Sequence, residues 1–204
     1  MTIGITGTIR AGKGTLSKAL VDEYEFVHLS VRGYIIQSLV NQGINESEIT
    51  RTQLVNEGNR LRTANNDPAY IVKALYLQAL EISRESGKSV IIESLRCPGE
   101  VTALREFAKE LGGFELWGVD ADVKLRWERD CNEGGQLTLD EFIKQDEREA
   151  SSDDPFAQNL KACWEMADVK FDNSKSVDDF KKEIDTEVKR LRGIEMVERE
   201  SILL

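Results

Sequence analysis

The chain has 204 residues, 40% of them hydrophobic, which predicts one domain with a substantial core and a small insert. Its formal net charge of −10 argues against nucleic acid as a partner, because that affinity depends on Lys and Arg at phosphates. Three widely spaced cysteines without a CxxC pair argue against a zinc site or a disulfide framework, and no apolar run approaches the length of a membrane span. We therefore expect a cytoplasmic protein with no membrane partner.

Short apolar runs alternate with longer helical patterns along the chain. This alternation predicts an α/β fold in three layers, with a five-stranded parallel sheet, helices on both faces and ligands at the carboxyl ends of the strands. The predicted strands cover 2–6, 26–30, 89–94, 114–120 and 167–173. The predicted helices cover 13–24, 31–42, 47–63, 68–86, 98–111, 121–132, 138–149, 155–166 and 176–192.

Cap and turn residues agree with these boundaries. Asp154 and Pro155 predict a helix start, with Asp154 as N-cap and Pro155 as the first helical residue. Gly87 ends a helix before the third strand, and the glycine pair 112–113 separates the next helix from the fourth strand. The tail at 193–204 has no decisive pattern, so a final helical turn, a partner contact and disorder all stay open.

The first predicted strand leads directly into a glycine-rich loop and a helix. The loop has the spacing of a P-loop: four residues separate Gly7 from Gly12, and Lys13 follows directly. Glycines let backbone N–H groups converge on phosphate oxygens, the helix N-terminus adds a positive end, and the lysine reaches the β- and γ-phosphates. The alternative is a glycine-rich turn without a ligand. The residues expected to bind ATP are Gly7, Thr8, Ile9, Arg10, Ala11, Gly12, Lys13, Gly14 and Thr15.

The hydroxyl beside the lysine comes one position late, since Gly14 separates Lys13 from Thr15. This "GKGT" sequence resembles the P-loop of adenylate kinase and related nucleotide kinases, in which the threonine still faces the phosphates and Mg²⁺. GTPases usually place Ser or Thr directly after the lysine. The chain also has no DxxG or NKxD segment after a strand, which argues against a switch GTPase.

The resemblance to nucleotide kinases extends over nearly the whole chain. "FVHLSVRGYI" and "VIIESLRCPGE" are similar to the second and third strands with their acceptor-side helices. "VDADVKLRWERD" and "LTLDEFIKQDERE" are similar to the fourth strand, a lid and its returning helix, and "MADVKFDNSKSVDDF" to the fifth strand and the turn beside the adenine. The pattern also resembles a group of dephospho-CoA kinase-like proteins and the kinase-like segment fused to some deoxycytidylate deaminases.

Several departures from these families bear on the acceptor. Adenylate kinases carry "TGDLLR" where this chain has "SVRGYII", so AMP cannot be assumed as acceptor. The lid stretch "CNEGGQLT" has one cysteine and cannot form a zinc-binding lid. The second strand lacks the acidic residue with which a dephospho-CoA kinase would activate a hydroxyl. An acceptor phosphate needs no such base, because it is already ionised and needs mainly positioning and charge neutralisation.

Arginines after the second and third strands are expected to hold the acceptor. Arg32 and Arg96 follow these strands, and a guanidinium there can bind a phosphate with two hydrogen bonds; the alternative is a surface or capping role. Arg62 either completes this pocket or lies on a solvated helix face. The resemblance makes Glu93 an acidic residue that orients the acceptor or, with Thr15, helps place Mg²⁺.

The lid region supplies three further candidate residues. By resemblance Arg126, Arg129 and Arg148 neutralise the transferring phosphoryl group, although salt bridges with neighbouring glutamates would also explain them. Asn173 and Ser174 follow the last strand and are expected beside the adenine, with turn formation as the alternative.

Taken together, these patterns indicate a P-loop kinase that uses Mg²⁺ and ATP. The expected acceptor is a small phosphorylated nucleotide substrate, a nucleoside or deoxynucleoside monophosphate. A dephospho-CoA kinase-like enzyme acting on a hydroxyl and an ATP-binding regulator without turnover remain alternatives. We expect one kinase domain over 1–192, with an acceptor-binding insert at 31–86, a lid at 126–148 and a tail at 193–204. The sequence does not indicate an oligomeric state.

Overall fold

The computed structural model describes the backbone of residues 1–108 and 113–202 and the side chains of 1–108 and 113–193. Five parallel strands form one sheet in the order β2-β3-β1-β4-β5. The strands are β1 (Thr2–Gly7), β2 (Val27–Ser30), β3 (Val90–Leu95), β4 (Phe114–Asp120) and β5 (Val169–Asp172). The predicted three-layer α/β fold is confirmed.

Helices cover both faces of the sheet, and the buried apolar side chains form one cluster on each face. One cluster packs Ile92 and Leu116 of the sheet against α2 to α5. The other packs Ile5 and Trp117 against α1 and α9. The helices are α1 (Lys13–Tyr24), α2 (Val31–Asn41), α3 (Arg51–Ala64), α4 (Tyr70–Ser86), α5 (Pro98–Phe107), α6 (Val123–Asn132), α7 (Leu139–Ala150), α8 (Leu160–Glu165) and α9 (Val177–Ile202).

Two helix starts lie more than two residues from their predicted positions. The predicted helix over 47–63 is a 3₁₀ turn at Glu46–Glu48 followed by α3, which begins after a capping box between Thr50 and Gln53. The start predicted at Pro155 is wrong. Asp154 accepts a hydrogen bond from Phe156 in a turn, and α8 begins only after Asn159.

Contacts with the end of β3 explain the later start of α8. The Cys97 thiol donates to the carbonyl of Pro155 at 3.1 Å, and the backbone N–H of Asn159 donates to the carbonyl of Arg96 at 2.8 Å. These bonds hold 155–159 along the sheet edge instead of in a helix.

The predicted end of one helix and the predicted tail lie partly outside the residues that the structure describes. The predicted helix at 98–111 agrees with α5 over its described part, while 109–111 and Gly112 lie outside the described residues. Helix α9 continues without a break past residue 192, so 193–202 of the predicted tail are helical, and 203–204 lie outside the description. Within the described residues, no helix combines the length and hydropathy needed to cross a bilayer.

A buried carboxylate joins α2 to α3. Glu57 is 5% exposed, and its carboxylate accepts hydrogen bonds from Ser38 (2.7 Å), Gln42 (2.9 Å) and Arg60 (2.6 Å). The bonds from Arg60 are the largest cause that lowers the pKa of Glu57, to about 2 from its ordinary value of 4.5, against an opposing effect of burial. The ionised form of Glu57 therefore stabilises the helix pair.

We expect Glu57→Gln to lower the free energy of unfolding at pH 7. Because the folded-state pKa lies below the unfolded one, the stabilisation is present above pH 4.5 and is lost as the pH falls towards 2. Urea unfolding of both proteins should show a difference that shrinks across this interval. The exposed Glu48→Gln serves as control and should change little; a Glu57→Gln deficit of equal size at every pH would contradict this account.

Candidate active site

The loop after β1 lies at the carboxyl edge of the sheet, and its two glycines are required by close backbone approaches. At Gly7 φ is 147°, and a Cβ there would lie 2.1 Å from the carbonyl oxygen of Val119. At Gly12 φ is 112°, and a Cβ would lie 2.2 Å from Nδ2 of Asn173. The strand order places this loop between β3 and β4, where ligands of parallel sheets bind.

Helix α1 begins at Lys13, and its N-cap, Gly12, supplies no side-chain hydrogen bond. Lys13 Nζ donates to the carbonyls of Gly7 (2.9 Å) and Thr8 (2.7 Å), so the side chain folds over the loop. Burial, followed by repulsion from Arg96, lowers the pKa of Lys13 to about 7. An uncapped helix start beside a desolvated lysine favours an anion.

A cavity of about 670 Å³ opens in front of this loop and is large enough for a nucleotide. Most of the predicted site residues share it, although they come from all parts of the chain. Its lining consists of Ile9, Arg10, Gly12, Lys13, Gly14, Thr15, Arg32, Arg51, Glu93, Ser94, Arg96, Arg129, Asp130, Glu133, Asn173 and Val177.

At one end of the cavity, residues after β5 support the loop. Asn173 Nδ2 donates to the carbonyl of Ala11 at 2.8 Å, and Arg129 Nη2 donates to the carbonyl of Asn173 at 2.7 Å. Ser174 is not part of this lining; its hydroxyl accepts from the backbone N–H of Asp122 at 2.9 Å and donates to Asp172 at 2.5 Å. The structure thus places Asn173 at the cavity and Ser174 in a turn.

At the other end, three arginines converge. Arg32, Arg51 and Arg96 all line the cavity, as the sequence predicted for the first and last of them. Arg51 Nε donates to Glu149 Oε1 at 2.9 Å, and Arg96 Nη1 donates to Glu149 Oε2 at 2.8 Å and to Gln158 at 3.3 Å. A single carboxylate thus bridges two guanidinium groups, and we call this contact the Glu149 bridge.

Sequence analysis missed Arg51. It is the first residue of α3, directly after the N-cap Thr50, so its side chain projects from the helix start towards the carboxyl edge of the sheet. The capping-box pattern of Thr50 and Gln53 is the signal that would have placed the helix start here.

Arg62 does not line the large cavity and is 2% exposed. Its Nη2 donates to Glu100 Oε1 at 2.6 Å, while Glu100 Oε2 accepts the backbone N–H groups of Arg96 (3.0 Å) and Cys97 (3.1 Å). The expected direct acceptor contact is therefore replaced by a buried ion pair. Arg62 fixes, through Glu100, the backbone turn that carries Arg96.

Glu93 lies at the floor of the cavity. Its Oε2 accepts from Ser17 Oγ at 3.0 Å and lies 2.8 Å from His28 Nε2. Burial tends to raise the pKa of Glu93, but the bonds from His28 and Ser17 outweigh it and hold the pKa below its ordinary value. The next residue, Ser94, has φ of 72° at a register shift between β1 and β3. Such backbone strain is typical of functional sites.

Mg²⁺ prefers oxygen ligands and usually takes only one or two from the protein, the remainder coming from water and phosphates. The hydroxyl-bearing Thr15 and the carboxylate-bearing Glu93 both line the cavity beside Lys13. Among the described residues, no group of three or more His, Cys, Asp or Glu side chains could hold a metal alone. The donor set thus fits a metal ion that arrives with a nucleotide.

The predicted lid is the helical hairpin of α6 and α7, and its three arginines occupy different environments. Arg126 is buried, with two hydrogen bonds of 2.7 Å to Asp146 and one of 3.3 Å to the carbonyl of Ile9. Arg129 lines the cavity. Arg148 lines a separate cavity between α3 and α7.

A further contact of the lid involves the loop itself. Arg10 Nε donates to Asp130 of α6 at 2.7 Å, and its guanidinium also pairs with Glu133. The hairpin is thus tied to the phosphate-binding loop through the backbone of Ile9 and the side chain of Arg10.

A family model described as an AAA domain matches residues 3–130 of this chain. The chain belongs to the AAA domain family. No curated protein was found that matches the sequence of this AAA domain.

Solved structures with a similar fold include TT1252 from Thermus thermophilus (21% identity, TM-score 0.53), which covers 94% of this chain and 97% of its own. A gluconokinase from Sinorhizobium meliloti 1021 is 13% identical with a TM-score of 0.53, over 93% and 92% of the two chains. A shikimate kinase from Bacteroides thetaiotaomicron is 17% identical with a TM-score of 0.51, over 95% and 97%. At these identities the likeness concerns the fold alone, and this chain shares that fold with the P-loop kinases over nearly its full length.

The two glycines beside Lys13 should respond differently to alanine. Gly12→Ala introduces a Cβ at positive φ against Asn173, and we expect a loss of roughly 1–3 kcal/mol in the free energy of unfolding. A Cβ on Gly14 would meet no atom within 4 Å, so Gly14→Ala should change stability by less than about 1 kcal/mol. Denaturant unfolding measures both. Equal losses in the two variants would contradict the described loop geometry.

Proposed function

We propose that this protein is an ATP-dependent phosphotransferase that moves the γ-phosphoryl group of ATP to a nucleoside or deoxynucleoside monophosphate. The observation that carries the proposal is the shared cavity, with a phosphate-binding loop at one end and a cluster of arginines at the other. A kinase of this type needs two anion sites that face each other, one for the donor and one for the acceptor.

The donor end is supported by the loop geometry. Gly7 and Gly12 allow backbone conformations in which N–H groups point towards one ligand, and the uncapped start of α1 adds further donors. On nucleotide binding, Lys13 exchanges its bonds to loop carbonyls for phosphate oxygens. Mg²⁺, with Thr15 and Glu93 nearby, would neutralise part of the phosphate charge.

The acceptor end favours a phosphate over a hydroxyl. Arg32, Arg51 and Arg96 bring three guanidinium groups to one region, and such groups bind phosphate oxygens in pairs. A hydroxyl acceptor needs a general base, and Glu93 is the candidate for that role in this cavity. Its carboxylate accepts a hydrogen bond from Ser17, and its pKa lies below the ordinary value. Glu93 is therefore a weak base.

The Glu149 bridge supports a position for the acceptor phosphate. Two guanidinium groups that share one carboxylate form an anion site, and the carboxylate of Glu149 lies in it. Burial lowers the pKa of Arg96, and the nearby Arg51 and Arg32 act in the same direction against the attraction of Glu149. An acceptor phosphate would take the place of Glu149 between Arg51 and Arg96.

The reaction then depends mainly on position. The loop and Lys13 hold the donor phosphates, and the acceptor arginines hold the incoming phosphate oxygen in line. Arg129 of α6 lines the cavity and donates to the loop carbonyl of Arg10. The hairpin of α6 and α7 contacts the loop at Ile9 and Arg10. We expect it to close over the cavity during transfer and to exclude water that would otherwise accept the phosphoryl group.

A panel of acceptors with Mg²⁺ and ATP tests this function. ADP release and phosphorylated product are measured separately. We expect a monophosphate to raise ADP release and to yield a stoichiometric diphosphate. Product only from a hydroxyl acceptor would support a dephospho-CoA kinase-like reaction instead, and nucleotide binding without any product would support an ATP sensor. The absence of an ATP-dependent shift in melting temperature would contradict the donor site itself.

Substitutions at Arg96 should impair the acceptor end of the cavity and leave ATP binding at the donor end unchanged. A charge-assisted contact is worth roughly 1.5 to 3 kcal/mol, so Arg96→Ala should lower kcat/KM for the acceptor about ten- to a hundredfold. Arg96→Lys should restore little, because an ammonium lacks the planar fork of a guanidinium. The exposed Arg84→Ala is the matched control and should have no effect.

Lys13→Ala completes this experiment at the donor end and should abolish most turnover while the fold persists. If Arg96→Ala abolished ATP binding and left acceptor affinity intact, Arg96 would belong to the donor end and the proposed acceptor site would be wrong.

A further inference from the structure

A second cavity adjoins the acceptor arginines and has no part in the mechanism above. It measures about 360 Å³ and lies between α3 and α7. Carboxamide side chains come from both walls and from the segment before α8, and no aromatic side chain contributes to its lining. These carboxamides are Asn56, Asn59, Gln145 and Gln158. We call it the carboxamide cavity.

The carboxamide cavity is continuous with the proposed acceptor phosphate site. Arg51 lines both cavities, Glu149 of the bridge lines the carboxamide cavity, and Gln158 both lines it and accepts from Arg96 at 3.3 Å. A phosphate held between Arg51 and Arg96 therefore has this cavity directly beside it. The part of the acceptor that carries the phosphate must occupy some neighbouring space of this kind.

Apart from the large cavity that holds the phosphate-binding loop, a further space beside the arginines is too small for a ring. A crevice between α2 and α3 is lined by Arg51, Arg96 and Arg62 and measures about 40 Å³. A volume of this size admits a few waters at most and no heterocyclic ring. The buried Arg62 and Glu100 pair restricts the crevice from within. The carboxamide cavity has about nine times that volume.

An unsatisfied hydrogen-bond acceptor points to a ligand. Asn59 Oδ1 is buried and has no hydrogen-bond partner, and it is the one side-chain nitrogen or oxygen atom in this state among the described residues. Burial of an unpaired acceptor is costly, and such atoms in native proteins usually have a partner. Because Oδ1 is buried, an N–H group of a ligand reaches it only when the Asn59 side chain turns into the cavity that Asn59 lines.

From these observations we infer that the carboxamide cavity binds the base of the acceptor nucleotide, and that Asn59 accepts a hydrogen bond from an amino or ring N–H group of that base. The inference rests on the proposed function. Carboxamides both donate and accept, so they can pair with the hydrogen-bonding edge of a nucleobase. Arg51 marks the junction between the base in this cavity and the phosphate at the arginine pair.

Direct binding measurements test this assignment without turnover. Isothermal titration uses the full chain with Mg²⁺ and a non-hydrolysable ATP analogue, and the probes are CMP, AMP, GMP, UMP and ribose 5-phosphate. The variants are Asn59→Leu on α3 and Gln145→Ala on α7, one on each wall. The control is Asn41→Ala, which removes an exposed carboxamide of α2 that accepts from Gln37.

We expect Asn59→Leu to weaken the tightest-binding monophosphate on the order of tenfold or more. Gln145→Ala should weaken it as well, while the affinities for ribose 5-phosphate and for the ATP analogue stay unchanged. Asn59→Leu should also leave the melting temperature of the ligand-free protein equal or higher, because it removes an unpaired buried acceptor. A merely structural Asn59 would give a lower melting temperature.

The outcomes separate this inference from the proposed function. If monophosphates bind to the wild type and to both variants with equal affinity, the base lies elsewhere and the inference is wrong, while the proposed function stands. If ribose 5-phosphate loses as much affinity as the nucleotide, the cavity does not recognise a base, and the inference is also wrong. If the ATP analogue binds and no monophosphate does, both the inference and the proposed acceptor class fail.

Discussion

The close approach of the loop after β1 to its neighbour strand is the constraint on which the site depends. Gly7 lets the chain leave β1 in contact with the carbonyl of Val119 on β4, a position that excludes any Cβ. Gly12 then turns against Asn173, whose side chain holds the carbonyl of Ala11. The loop is therefore fixed by β4 and by the residue after β5, and α1 starts with its backbone donors directed at the cavity.

The rest of the site consists mainly of cationic side chains that surround that loop, most of them paired with groups of the protein. The chain as a whole carries a formal net charge of −10, yet Lys13, Arg32, Arg51, Arg96 and Arg129 share one cavity. Four of these cations contact groups of the protein: loop carbonyls for Lys13 and Arg129, and Glu149 for Arg51 and Arg96. Phosphate groups can replace each of these partners, which is how an acidic protein can bind small anions.

The sequence predicted the framework because strand and helix patterns are local. Helix α1 has the predicted bounds 13–24, and β4 the predicted bounds 114–120. The prediction of a helix start at Pro155 was wrong, because two hydrogen bonds outweigh the helix-start signal of that segment. The Cys97 thiol donates to the carbonyl of Pro155, and the backbone N–H of Asn159 donates to the carbonyl of Arg96. Such bonds join residues far apart in the chain, and no pattern within the segment indicates them.

The site residues, too, could be predicted where they depend on local sequence and not where they depend on contacts between distant elements. The P-loop could be read from spacing, because its glycines and lysine act through neighbouring backbone. Arg62 was expected at the acceptor, and its burial against Glu100 depends on how α3 packs on α5, which spacing does not report. The Glu149 bridge likewise joins α3, the end of β3 and α7. Arg51 is the exception, because the capping box before it marks the helix start in the sequence itself.

In the proposed reaction, donor and acceptor phosphates meet in one cavity, with the acceptor phosphate in the place of Glu149. A crystal structure with Mg²⁺, a non-hydrolysable ATP analogue and a nucleoside monophosphate would show whether they do. We expect the analogue's phosphates in the loop around Lys13, and the acceptor phosphate in contact with Arg51 and Arg96 after Glu149 has moved away. A monophosphate bound elsewhere, with the Glu149 bridge intact, would contradict it.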